Sequence, residues 1–188
     1  MSAPPELPEI VSRAFDVSRT RGYVSFCRNE TGRLLATLAA TRSGTLAEFG
    51  TGCGVGTAWL RSGVRDDARI ISAELDPRLA EAAGEIFEAD DQVEVLSADW
   101  STMRDHGPFS LLFLDAREPK NAGADTIIDL VEPGGVVVLD DFTPCSSWPP
   151  VYEGRVDVLR EQWLTDERFT TVEVMVAPDA SVLIATKR

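Results

Sequence analysis

Six acidic residues and one run of glycines hold most of the chemistry this chain could do. The run is Leu46–Gly56, Leu-Ala-Glu-Phe-Gly-Thr-Gly-Cys-Gly-Val-Gly, after which Thr57-Ala58-Trp59-Leu60 resumes a helical pattern. A buried strand, a tight turn and a helix N-terminus in that order bring a nucleotide-like ligand against backbone N–H groups. The spacing separates the possible uses. A dinucleotide fingerprint needs Gly-x-Gly-x-x-Gly, but the sixth position is Val55 counting from Gly50 and Thr57 counting from Gly52. A phosphate loop ends in Gly-Lys-Ser/Thr, and no lysine occurs between Thr41 and Pro119.

The acids stand where apolar stretches end. In an open α/β sheet a ligand lies beyond the carboxyl ends of the strands, where strand order reverses. Glu74 closes the second such stretch, and a carboxylate there can accept from both hydroxyls of a ribose. Asp115 ends the fourth strand and Asp140-Asp141 the fifth. Three carboxylates meeting at one place repel each other unless a cation joins them. An oxygen-only set suits Mg²⁺, Mn²⁺ or Ca²⁺ better than zinc.

The pattern Glu48-x-Gly50-x-Gly52-x-Gly54 resembles motif I of the class I S-adenosylmethionine-dependent methyltransferases. That resemblance implies a cofactor site drawn from Glu48, Gly50, Thr51, Gly52, Gly54, Glu74, Asp99, Trp100 and Asp115. In it Glu48 lies toward the amino-acid end of the cofactor, Glu74 on the ribose, Asp99 at the adenine amine and Trp100 against the ring. The stretches Leu112-Phe113-Leu114-Asp115 and Pro133 to Asp141 resemble the catechol and caffeoyl-coenzyme A O-methyltransferases. This implies a metal set of Asp115, Asp140 and Asp141, where the family usually has Asn at the third place. The family's lysine base falls three residues after the first metal aspartate, and here that residue is Glu118. Lys120 lies two residues further on, with Arg117 adjacent. Lys120, Glu118 or the ion alone are the three ways left to activate a hydroxyl. The loop Thr143–Tyr152 is expected to form part of the acceptor pocket, because it leaves the sheet at the ligand end and its Trp148 and Tyr152 offer flat apolar surface with a polar handle.

These residues need a scaffold, and the hydrophobic patterning supplies one. A short helix is expected around Ile10–Val17 and another over Thr31–Thr41, with a loop at Gly22–Arg28 carrying Tyr23 and Phe26 toward a pocket. Strands are expected at Thr45–Phe49, Arg69–Ala73, Gln92–Leu96, Phe109–Leu114 and Val136–Leu139, with helices at Thr57–Gly63, Arg78–Ala89, Ala122–Val131 and Arg155–Leu164. A short helix is expected near Asp99–Arg104. Asp76-Pro77 reads as an N-cap with proline at the first helical position. Glu132-Pro133-Gly134-Gly135 reads as a turn. Thr170–Val176 and Ser181–Thr186 alternate, as an antiparallel hairpin does. Together they specify an α/β fold with a doubly wound, mostly parallel seven-stranded sheet. By resemblance its order is 3-2-1-4-5-7-6, in one domain spanning 1–188 with an N-terminal extension over 1–28.

Composition bounds the partners. The chain has 188 residues and a net charge of −13, which argues against nucleic acid because phosphates need basic patches. No apolar run approaches the roughly 18 residues of a membrane span, and Met1–Ile10 carries prolines and acids in place of a signal-peptide core. Three scattered cysteines, Cys27, Cys53 and Cys145, fit a reducing cytoplasm. The reading is an S-adenosylmethionine-dependent O-methyltransferase acting on a small-molecule hydroxyl with a divalent cation; the bacterial relatives implied by the resemblance are often homodimers. The alternatives are a metal-independent small-molecule methyltransferase and a non-catalytic ligand-binding protein of the same fold.

Overall fold

The computed structural model describes residues 6–188, so the first residues of the expected proline-rich entry lie outside it. Five parallel strands come first: β1 (Gly44–Phe49), β2 (Ala68–Glu74), β3 (Val93–Ser97), β4 (Phe109–Leu114) and β5 (Val131–Phe142). A two-stranded ribbon follows, β6 (Val151–Tyr152) with β7 (Arg155–Val156). The closing hairpin is β8 (Phe169–Ala177) with β9 (Ala180–Lys187), and β9 runs antiparallel to β5. The main sheet has the order β3-β2-β1-β4-β5-β9-β8. With the ribbon left aside this is the expected 3-2-1-4-5-7-6 arrangement.

Helices α1 (Glu9–Thr20), α2 (Asn29–Ala39), α3 (Val55–Gly63) and α4 (Pro77–Phe87) precede β4; α5 (Arg117–Asn121), α6 (Gly123–Ile127) and α7 (Val158–Thr165) follow it. Strand residues alternate between the two faces. Leu46, Leu111, Phe113, Val136 and Val138 join one core with α1, α2 and α3. Ala47, Phe49, Leu112, Leu114, Val137 and Leu139 join the other, with Ile127 and Trp163. β4 is buried along its whole length, as a central parallel strand covered on both faces must be.

Register decides where the chemistry sits. Phe49 pairs with Ala73 and with Leu114, and Leu114 pairs with Leu139. The next residue of each strand therefore emerges at one level. Gly50 stands beside Glu74 on one side and Asp115 on the other, with Asp140 beyond Asp115.

Three expectations are corrected. The single helix expected over Ala122–Val131 is instead the short α6 and a 3₁₀ turn at Ile128–Leu130, preceded by the separate α5. Gly123, with φ +75°, breaks it. The expected turn at Glu132–Gly135 lies within β5, which starts at Val131 and shifts register against β4 between Phe109 and Leu111. The helix expected from Arg155 starts at Val158, because Asp157 caps it by accepting from Arg160 N–H at 3.1 Å; Arg155 and Val156 are left to the ribbon. No helix among the described residues is long and apolar enough to cross a membrane.

The approach of α2 to α3 leaves no space for side chains at two glycines. A Cβ on Gly32 would lie 2.2 Å from Trp59 Nε1, and one on Gly63 would lie 2.0 Å from the Ala36 carbonyl oxygen. The second obstacle is backbone and cannot rotate away. Gly63→Ala is expected to lower unfolding free energy by roughly 1–3 kcal/mol, the usual cost of overpacking, with urea denaturation as the measurement. A variant matching wild type would show that the two helices separate freely.

Candidate active site

Beneath the glycine turn lies a buried polar cluster. Glu48 is fully buried, and its Oε2 accepts from the hydroxyls of Thr57 and Ser72, the latter at 3.1 Å. Thr51 shares a short hydrogen bond with the same Ser72 hydroxyl. Glu48 Oε1 has no hydrogen-bond partner among the described residues and faces Gly56, where a Cβ would lie 2.0 Å from it. Burial pushes the Glu48 carboxyl up to about 8, against the two hydroxyl bonds that favour its charged form. Glu48 and Thr51 thus support the turn from below and present no side chain to the cleft above.

The N–H groups of the turn are also committed internally. Gly50 and Thr51 donate to Ala73 O at 2.9 and 3.4 Å, Gly54 to Thr51 O at 2.8 Å, and Gly52 to Glu74 Oε2 at 2.8 Å. The turn therefore does not offer these donors to a ligand, contrary to the sequence expectation. Its glycines serve close approach: at Gly50, with φ +101°, a Cβ would lie 2.7 Å from Ala116 N, and Ala116 N–H donates to Phe49 O at 2.9 Å.

Above the turn is a cleft of about 550 Å³, lined by Tyr23, Val24, Phe26, Gly50, Glu74 and Asp115, among others. Glu74 is held in place from behind, with Gly52 N–H on Oε2 and Asp76 N–H on Oε1 at 2.9 Å. Each carboxylate oxygen keeps a second lone pair for a ligand hydroxyl. Ala98 N–H donates to the Glu74 backbone carbonyl at 2.9 Å, so the end of β3 lies beside the end of β2. Asp99 is exposed there and accepts from Ser101 N–H at 2.9 Å. Trp100 turns inward, its ring 5.9 Å from that of Phe49. Tyr23 packs over Gly52, where a Cβ would meet its ring at 2.7 Å. Burial and then the charges of Asp115 and Glu74 push the Tyr23 phenol up to about 12, which keeps it a hydrogen-bond donor.

A second cleft of about 580 Å³ adjoins the first, and Arg117, Lys120 and Asp141 line both. At this seam the carboxylate oxygens of Asp115, Asp140 and Asp141 lie within 4.8 Å of one another. Asp140 and Asp141 are consecutive and would point to opposite faces of a regular strand. A register shift between Leu139 and Phe142, with Asp141 at φ +67°, turns both into one cluster. Lys120, almost fully buried, donates to Asp141 Oδ2 at 2.9 Å and to Asp140 O at 3.2 Å. The Thr31 hydroxyl, also buried, reaches Asp140 Oδ1 at 3.3 Å. Burial, then Asp140 and Asp141, raise the Asp115 carboxyl to about 7; burial raises that of Asp140 to about 6. Once ionised, three carboxylates against one ammonium leave an excess of two negative charges among oxygen donors, a fit for one hard divalent cation.

The acceptor-loop expectation divides. Tyr152 lines the second cleft, whereas Trp148 stands 65% exposed and is not part of its lining. Glu118 is exposed on the first cleft. Thr31, Ser72 and Arg160 were not foreseen. Arg160 is buried, with Nη1 on Glu173 Oε1 at 3.2 Å, Nη2 on Thr143 O at 2.7 Å and Nε 3.1 Å from Asp157 Oδ2. It fixes the chain leaving β5.

Because Glu48 binds its proton more tightly when folded, its contribution has a definite sign. Between about 4.5 and about 8 the folded chain holds a proton at this site that the unfolded chain has lost, so stability falls as pH rises through that window. Glu48→Gln keeps an acceptor for Thr57 without a charge. Its melting temperature is expected to fall less than that of wild type between pH 6 and 9; parallel profiles would mean that Glu48 is ionised in the fold.

One curated relative, a catechol O-methyltransferase of Mycobacterium tuberculosis, is 33% identical over 118 residues, covering 58% of this chain and 54% of the relative. The chain thus matches about half the length of that protein. An O-methyltransferase of Bacillus cereus solved with SAH superimposes with a TM-score of 0.76 at 20% identity, over 97% of this chain and 92% of the other. The O-methyltransferase TomG of Streptomyces achromogenes, solved with SAM, gives 0.75 at 22% identity, over 97% and 92%. At those identities the two structures speak to the fold. The stretch from Ala47 to Phe142, which runs from the buried support of the glycine turn to the end of the carboxylate cluster, matches the methyltransferase domain family, and the chain belongs to that family.

Proposed function

We propose that this chain is an S-adenosylmethionine-dependent O-methyltransferase acting on a small vicinal diol, with a divalent cation held by Asp115, Asp140 and Asp141. The observation that carries this is the seam: a cleft suited to an adenosine ligand and a second cleft meet at three carboxylates and one lysine. The name of the Mycobacterium tuberculosis relative points the same way. Three unpaired cysteines and the strongly acidic surface support a cytoplasmic enzyme with a small-molecule substrate.

S-adenosylmethionine would bring a methyl group on a positively charged sulfur. Glu74 would accept from the ribose hydroxyls, Asp99 would lie at the adenine edge beside it, and Gly50 would let the ligand lie close to the chain. Tyr23 would close the cleft from the other side. Asp115 belongs to both sites, since it lines the cofactor cleft and joins the carboxylate cluster. A magnesium-like ion would hold both oxygens of a diol and make a hydroxyl easier to deprotonate. Lys120 donates to Asp141 in the cluster, so its Nζ is the better candidate than the exposed Glu118 to manage the hydroxyl proton. Tyr152 would border the acceptor.

Two measurements test this. Glu74→Ala is expected to weaken SAH binding by roughly 2–3 kcal/mol, the scale of hydrogen bonds to a charged acceptor; wild-type affinity by calorimetry would remove Glu74 from the ribose. Methylation of catechol should be lost on chelation and return with Mg²⁺, and Asp140→Asn should lose it while still binding SAH. One observation favours a second reading: Lys120 already supplies a positive charge at Asp141. Turnover that persists in chelator and fails in Lys120→Met would establish that metal-independent form.

A further inference from the structure

Three cations line the two clefts, and two of them are spoken for. Lys120 is paired with Asp141. Arg160 is held by Asp157, Glu173 and the Thr143 carbonyl. The Arg117 guanidinium makes no hydrogen bond or ion pair among the described residues. It is exposed at the first position of α5, two residues after Asp115, and it borders both clefts.

Of the cations lining the two clefts, Arg117 is the one whose guanidinium is left to a ligand. A guanidinium presents a planar fork of donors that matches a carboxylate with two parallel bonds. The backbone fixes where it can act. α5 begins directly after the strand end that carries Asp115, and Lys120, one turn on, faces the carboxylate cluster. A diol held at the cluster would therefore extend along the second cleft with Arg117 on its border.

We infer that Arg117 recognises a carboxylate on the acceptor, so that the substrate class is a vicinal aromatic diol bearing an anionic substituent. This rests on the diol-methylation reading above. The rival selectors are Glu118 in the first cleft and Glu153 in the second, which would draw a cationic substituent instead. A second possible source of the carboxylate is the amino-acid end of the cofactor, because Arg117 also borders the first cleft.

The test is calorimetric binding to the full chain with SAH and Mg²⁺ present. The probes are 3,4-dihydroxybenzoate, its neutral isostere 3,4-dihydroxybenzamide, and 2-(3,4-dihydroxyphenyl)ethylamine. Wild type should bind the acid on the order of tenfold more tightly than the amide, the effect of one charge-assisted pair. Arg117→Gln should bring that ratio to about one, and Arg117→Lys should recover part of it. Equal binding of acid and amide by wild type, or preference for the amine, overturns the inference and leaves the diol reading standing. Binding of none of the three overturns both. Loss of SAH affinity in Arg117→Gln with the acid preference intact also overturns it, and gives the guanidinium to the cofactor.

Discussion

Like charge is concentrated at one edge of this sheet because the central parallel strands end level. Phe49, Ala73, Leu114 and Leu139 are register partners in sequence across β2, β1, β4 and β5. Each is followed by a residue that leaves the apolar layer, and three of the four such residues are acids: Glu74, Asp115 and Asp140. Parallel neighbours are about 4.8 Å apart, so the carboxylates cannot escape one another by sliding along the strand. A shift of one residue in any pair would turn every side chain of that strand to the other face and bury acids in a core. The apolar alternation that fills the two cores therefore also fixes the spacing of the polar site.

The sheet tolerates the resulting repulsion in different ways at different depths. Glu48, sealed beneath the turn, holds its proton, and its partners are hydroxyls that accept as readily as they donate. Glu74 is met by two backbone N–H groups and stays at the edge of solvent. Asp141 has Lys120. Asp115 and Asp140 have the least local compensation, and both are shifted upward. A site built this way is preorganised for positive charge where the two clefts meet, which is the place a sulfonium methyl donor and a metal-held diol would share.

Much of this was legible in the sequence, for identifiable reasons. β4 is read to the residue because a six-residue stretch that is apolar except for Ser110, set between a proline and an aspartate, allows little else. Glu74 and the aspartate cluster are legible because a strand-end acid is visible once the strand is. The convergence of Asp140 with Asp141 was not derivable from alternation, since it depends on a bulge and a left-handed backbone at a non-glycine residue. Glu48 was placed near the ligand because sequence position beside a glycine turn does not reveal depth. Arg160 escaped notice because a charged residue on a short helix reads as solvent-facing, and its three partners are scattered from Thr143 to Glu173. Trp148 was drawn toward the pocket by its chemistry alone, and the chain carries it outward.

The two halves of the site consequently rest on different physics. The side with the glycine turn and Glu74 is set by strand register and by backbone hydrogen bonds around the turn. The acceptor side is assembled from a helix broken at Gly123, a short ribbon and the loop leaving β5, joined to the scaffold by the buried Arg160 and by Lys120 at the seam. The ribbon is exposed and can change sequence at small cost to stability, because few buried contacts depend on it. What they cannot lose is the anchoring charge: removing Arg160 would strand Glu173 and Asp157 in a largely enclosed space. Arg117, Tyr152 and Glu153 line the second cleft, and Arg160 holds the frame in which those side chains are presented.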